Sequence, residues 1–292
     1  MNETQRDNWK YEVLNELLLA LGKDREIRNA LVFKGALILN RLLGAQRKSL
    51  DIDSNLDAVF ARRHPDREAQ KNFLEEHLSR AISRYFESKD PVRYELKNLR
   101  VDANPKDGHP LGWDGFLATV SLIDHANLGT RGLPSLTIDV SAPETLSEAS
   151  VADMELEGVS IRAYTLERIA GEKARAFLST LPAYRAKVRK PGEAVRVKDL
   201  YDLSKIIRFR PITRKDFWTA AGLEFRIACE SRSIDCRGKE SFFENWKETK
   251  ELYQKDPTIP VDVKFAEAEE TVDSILSIWS ALGIIPFSFP LP

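Results

Sequence analysis

Asp51 and Asp53 flank a single isoleucine, sixteen residues after Gly35, in the stretch F-K-G-A-L-I-L-N-R-L-L-G-A-Q-R-K-S-L-D-I-D-S-N-L-D. In an extended segment, residues i and i+2 project to one face, so the two carboxylates repel each other. A divalent cation offsets that repulsion. A third acid, Asp139 in L-T-I-D-V, has apolar neighbours on a segment that reads as a buried strand. An unpaired carboxylate there is costly. Glycine turn, helix, D-x-D strand and later acidic strand form an order that suits phosphoryl chemistry. Backbone N–H groups of the turn and the following helix N-terminus favour a phosphate. Three inward-facing carboxylates can hold two magnesium ions about 3.5–4 Å apart. D-x-D alone also occurs in exposed turns; Gly35 and Asp139, in this order, favour a functional site.

The elements that must position these residues are legible as periodicities. Residues 8–22 have apolar residues at helical spacing and end near Gly22. A second helix follows Gly35, buries Leu37, Leu39, Leu42 and Leu43, and stops at Gly44. L-D-I-D-S-N-L is then a short strand. Residues 66–88 favour helix, with Phe73, Leu74, Leu78, Ile82 and Phe86 on one side. After Pro91 the pattern turns to β: V-R-Y-E-L-K-N-L-R-V, F-L-A-T-V-S-L-I-D and S-L-T-I-D-V-S-A, then a strand over M-E-L-E-G-V-S-I-R-A-Y. From Thr165, a helix cap, the chain becomes helical again. R-A-K-V-R-K-P-G-E-A-V-R-V reads as a basic linker, K-D-L-Y-D-L-S-K-I-I-R-F as another helix, and I-I-P-F-S-F-P-L-P as an extended tail. The expected fold class is α+β: a mixed-sheet domain over 1–163 and a mainly helical domain over 164–292.

With 42% hydrophobic and 30% charged residues among 292, the composition is that of a globular protein rather than a disordered one. No apolar run reaches the roughly 20 residues of a membrane span. The first residues do not read as a leader, so a cytoplasmic protein is expected. Two cysteines, Cys229 and Cys236, and four dispersed histidines show no zinc-site spacing. Net charge is −1, against a general nucleic-acid binder. Residues 185–215, however, carry eleven basic and three acidic side chains, a surplus of eight that leaves −9 for the rest. Such a segment suits an anionic partner or a solvated helix face.

F-K-G-A at 33–36 and R-K-S-L-D-I-D at 47–53 resemble the signature of the AbiEii/AbiGii toxin family, nucleotidyltransferases of the DNA polymerase β superfamily. Lys34, Gly35, Arg47, Ser49, Asp51 and Asp53 match it. I-D-V at 138–140 is similar to the family's third acidic strand, and E-K-A-R-A at 172–176 and K-D-L-Y-D-L at 198–203 to its later segments. The resemblance spans roughly residues 28–207 in four ordered blocks. Three departures stand out. Ala36 replaces a second Gly or Ser of the turn, Ser54 replaces an apolar residue, and Lys198 replaces Arg.

The resemblance implies a polymerase-β-like nucleotidyltransferase core, with the helical domain completing the nucleotide site. It implies Asp51, Asp53 and Asp139 as metal ligands for two magnesium ions, with manganese as the substitute ion. Lys34, Gly35, Ala36, Arg47, Ser49 and Lys173 would bind nucleotide, and Asp199 would be the functional acid of the last block. Without the resemblance, Lys173 reads as a solvated helix lysine, and Asp202 as the ion-pair partner of Lys198 or Lys205. The implied activity transfers a nucleoside monophosphate from an NTP to an acceptor hydroxyl, a tRNA 3′ end, with a cognate antitoxin as partner. Arg185, Lys187, Arg189 and Lys190 are the expected RNA contacts. A protein hydroxyl is the alternative acceptor, and a non-catalytic RNA- or antitoxin-binding protein of the same fold is the rival reading.

Overall fold

The computed structural model describes residues 2–44, 49–108, 111, 113–128, 132–189 and 194–291. The chain divides into two compact units. The first comprises Met1–Ile38, Lys48–Glu144 and Val151–Ala163; the second comprises Leu39–Arg47, Thr145–Ser150 and Tyr164–Pro292.

The first unit opens with α1 (Glu3–Lys23), whose Asn2 cap and Gln5 exchange side-chain and backbone hydrogen bonds. Its apolar side buries Trp9, Val13, Leu14, Leu17, Leu18 and Leu21. After α2 (Arg25–Ala30), capped by Asp24, the chain enters β1 (Leu31–Lys34), buried throughout. Helix α3 (Gly35–Leu43) begins directly at the end of β1. The strand β2 (Ile52–Leu56) is followed by α4 (Ala58–Arg63) and α5 (Arg67–Glu87), the latter buried through Leu74, Leu78, Ile82 and Phe86. Then come β3 (Tyr94–Asn104), β4 (Gly115–Asp124), β5 (Leu136–Ser141), β6 (Val151–Leu156) and β7 (Val159–Tyr164). The last two were expected as one strand; a turn at Glu157–Gly158 divides them.

Among the described residues, seven strands form one mixed sheet in the order β3-β4-β5-β2-β1-β7-β6. β2 lies between β1 (antiparallel) and β5 (parallel), and β1 also pairs with β7 in parallel. The D-x-D strand is therefore near the middle of the sheet. Within β2, Ile52, Ser54, Asn55 and Leu56 are buried and Asp53 is half-buried, so the alternation expected of the strand stops at Ser54; Asp51 lies just before the strand.

The second unit is built from α6 (Leu166–Leu178), α7 (Pro182–Val188), α8 (Val197–Phe209), α9 (Lys215–Glu230), α10 (Lys239–Phe242), α11 (Trp246–Lys255) and α12 (Phe265–Ala281). Helix α6 packs on α8 and α9, and α12 packs on the same pair. Phe225 and Trp279 stack at 4.7 Å in the core. A buried polar knot joins the 145–150 segment to these helices. Ser147 and Ser150 donate to Glu224 at 2.7 and 2.8 Å, and Glu224 pairs with the fully buried Arg168 at 3.2 Å. The basic linker expected over 185–197 is a correction: its first residues belong to α7, for which Pro182 supplies a favourable first-turn φ.

Candidate functional site

Strand register brings two of the three acids together. Asp53 and Asp139 are directly paired across the parallel β2–β5 ladder, and Lys34 is paired with Asp53 on the other side. Paired residues on neighbouring strands share a face, so one row crosses the sheet as Lys34, Asp53 and Asp139. The row is locked from beneath by Ser54, whose Oγ donates to the Asp139 carbonyl at 2.9 Å. An apolar side chain at 54 could not make that bond, which gives this departure from the family pattern a structural role. Asp51 precedes the strand on a bend and is exposed; Ser49 Oγ donates to its Oδ1 at 3.1 Å and to its carbonyl at 3.2 Å.

Gly35 closes the row from above. Its φ is +79°, and a Cβ at this position would stand 2.0 Å from Asp53 Oδ2. The turn therefore needs glycine twice, for its left-handed backbone and for its close approach to the carboxylate. Ala36 is buried beside it. Lys34 is also buried, and its Nζ lies 3.6 Å from Glu144, a buried acid that sequence reasoning missed. The signal available was weak: an acid in A-P-E shortly after the Asp139 strand. Arg47 falls outside the described residues.

Carboxylate oxygens are hard donors of the kind magnesium takes. Among the described residues no three His, Cys, Asp or Glu side chains gather as a ready-made metal cluster. Asp53 and Asp139 are brought side by side, and Asp51 is not gathered with them. Magnesium is commonly held by one or two carboxylates and completed by waters and substrate phosphates, so the pair fits such an ion.

In the second unit, Lys173 of α6 is buried rather than solvated. Its Nζ meets Asp199 Oδ1 at 2.9 Å and Asp202 Oδ2 at 2.6 Å. Asp202 therefore corrects the sequence expectation. It pairs with Lys173, while Lys198 lies 3.9 Å from Asp256 and Lys205 2.9 Å from Asp262. Residues 199 and 202 are one turn apart on α8, close enough to converge on one cation. Asp199 Oδ2 also accepts from Arg196 Nε at 2.7 Å. Burial pushes the Asp199 carboxyl up, but Arg196 and Lys173 overcome this and hold it down at about 2.

The 185–215 cations are less available than their count suggests. Lys187 bonds both oxygens of Asp235 at 2.9 Å and also donates to the Phe289 carbonyl. Arg208 pairs with Asp262 and Glu267, and Arg214 with Asp216. Arg189 is exposed with a left-handed backbone at the end of α7. Arg185 has two nitrogens shielded from water and without a hydrogen-bond partner among the described residues. Lys190 lies outside the described residues.

The central mixed sheet followed by a helical region is consistent with a nucleotidyltransferase core. The family model described as nucleotidyl transferase AbiEii toxin, type IV toxin–antitoxin system, matches residues 17–271, and the chain belongs to that family. No curated protein matches the chain. Among the described residues no helix is long and apolar enough to cross a membrane.

Proposed function

We propose that this toxin-family nucleotidyltransferase uses magnesium to transfer a nucleoside monophosphate from an NTP to the 3′ hydroxyl of a tRNA, and thereby arrests growth. The observation that carries the reading is the register pairing of Asp53 with Asp139 beneath the Gly35 turn. Asp53 and Asp139 would hold the metal, with Asp51 joining from the bend that precedes β2. When bound, magnesium neutralises phosphate charge and polarises the reacting phosphoryl group. Gly35 lets the backbone approach a phosphate, and the start of α3 directs N–H groups toward it. Lys34, fixed by Glu144, adds positive charge at the end of the same row. Asp139 is the base-side residue for the acceptor hydroxyl. Positioning and fixed charge supply the catalysis, as in phosphoryl transfer generally.

Label transfer from each α-³²P NTP into total RNA and into protein, with magnesium or with EDTA, tests this. Magnesium-dependent label in the tRNA fraction is the expected result. Label in protein instead would identify the acceptor as a protein hydroxyl. Growth arrest without label in either fraction would favour a binding protein that retains the fold.

A further inference from the structure

The cluster around Lys173 raises a question of access. Lys173 has a side chain only 8% exposed, and two carboxylates converge on its ammonium. Its charge is more than matched where it stands. Pulling it toward a phosphate would leave Asp199 or Asp202 as a buried carboxylate without its cation, a strongly unfavourable exchange. Arg196 differs. It bonds the far oxygen of Asp199, yet its side chain is 56% exposed. The four residues form a line of alternating charge, Asp202–Lys173–Asp199–Arg196, and Arg196 is its most exposed member.

We infer that Arg196 is the residue of this cluster that grips the phosphates of an anionic substrate, and that Lys173 is a positioning residue acting on it through Asp199. The inference rests on the nucleotidyltransferase reading and names the phosphate contact within it. Guanidinium suits the task because its planar fork matches phosphate oxygens in a way that an ammonium does not. The Nε bond to Asp199 fixes the orientation of that fork, and the Arg196 backbone N–H donates to Thr180 Oγ1 at 3.3 Å, anchoring its base. Asp199, held charged at any neutral pH, is a permanent partner. Lys173 keeps this carboxylate in place from the inside. The sequence signal was modest: an arginine one turn before the aspartate that opens α8.

The test uses the full chain and two probes, inorganic tripolyphosphate and each of the four NTPs with magnesium. Arg196→Ala should weaken binding of tripolyphosphate and of the accepted NTP more than tenfold, and raise KM more than it lowers kcat. Its unfolding temperature should fall modestly, because Asp199 loses the charge that most stabilises its carboxylate, so binding is compared at a temperature where both proteins are fully folded. Arg196→Lys should recover part of the affinity. Lys173→Met should weaken binding too, but in the Arg196→Ala background it should add little, since both act along one line of contacts. Wild-type-like affinity and KM in Arg196→Ala would overturn the inference while label transfer by wild type leaves the enzyme reading standing. Fully additive losses would also overturn it, by making Lys173 an independent contact. A wild-type protein that neither binds NTP nor transfers label would sink both.

Discussion

Replacing Gly35 with alanine perturbs the site at its tightest point, and two separable costs follow. With φ at +79°, any L-residue at 35 takes a left-handed backbone, which costs about 1–2 kcal/mol. The new methyl would also stand 2.0 Å from Asp53 Oδ2 and 2.7 Å from that residue's Cβ and Cγ. The carboxylate must turn away, and driving it off its preferred rotamer costs roughly 0.5–1.5 kcal/mol more. Gly44 is the internal control: its φ is +62°, but nothing described stands within 4 Å of where its methyl would be, so Gly44→Ala carries only the backbone cost. Urea unfolding followed by circular dichroism should show Gly35→Ala less stable than wild type by about 1.5–3.5 kcal/mol, the sum of the two costs, and less stable than Gly44→Ala by the steric share. Label transfer should be lost in Gly35→Ala and retained in Gly44→Ala, because only the former displaces a proposed metal ligand. Equal urea midpoints for the two variants, together with wild-type transfer by Gly35→Ala, would refute the reasoning.

Asp51→Asn and Asp53→Asn should each remove magnesium-dependent transfer while keeping the fold, since a neutral amide is a poorer ligand than a carboxylate; near-normal turnover in the Asp53 variant would place the metal elsewhere. Asp199, depressed from 3.8 to about 2, contributes stability that is fully present above pH 3.8 and is lost as pH falls toward 2. That contribution is on the order of 2 kcal/mol, so the difference in urea midpoint between wild type and Asp199→Asn should shrink between about pH 5 and pH 2; a gap independent of pH would contradict the assignment. Neutralising Arg185, Lys187, Arg189 and Lys190 together should flatten the salt dependence of tRNA binding by roughly 0.7–0.9 slope units for each phosphate no longer neutralised. Because Asp235 already occupies Lys187, restoring the exposed Arg189 alone should recover more of the slope than restoring Lys187 alone, as fluorescence anisotropy against salt would report.

Local rules carried most of the fold into the sequence. Helix α5 has an aspartate cap and an apolar stripe, and β4 alternates in burial along its length, so each follows from its own residues. Strand β1 is not legible in this way: L-V-F-K is four residues, buried without alternation, and lies between two helices where period gives no signal. The D-x-D motif and Asp139 were legible as acids with a problem to solve, but their pairing is a property of the β2–β5 register, which no single segment encodes. Ion partners were the least legible. Lys173 meets Asp202 from a different helix, and Lys187 meets Asp235 nearly fifty residues away, so sequence proximity pointed Asp202 toward the wrong lysines. The basic surplus of 185–215 was real as composition and much reduced as available charge for the same reason.

The two serines that bond Glu224 come from a six-residue excursion between β5 and β6, whereas the helices they serve begin only at Leu166. This makes the chain nested rather than modular. A gene fragment starting at residue 164 would encode every helix from α6 onward yet omit both hydroxyls, leaving Glu224 and Arg168 to share a buried site short of two donors. A fragment ending at 144 would omit β6 and β7 from the sheet. No single cut therefore yields two self-sufficient pieces. Recombination that swaps the helical part between relatives must carry the 145–150 segment with it, and inheritance of the two units is coupled by a handful of residues that belong to one by position and to the other by contact.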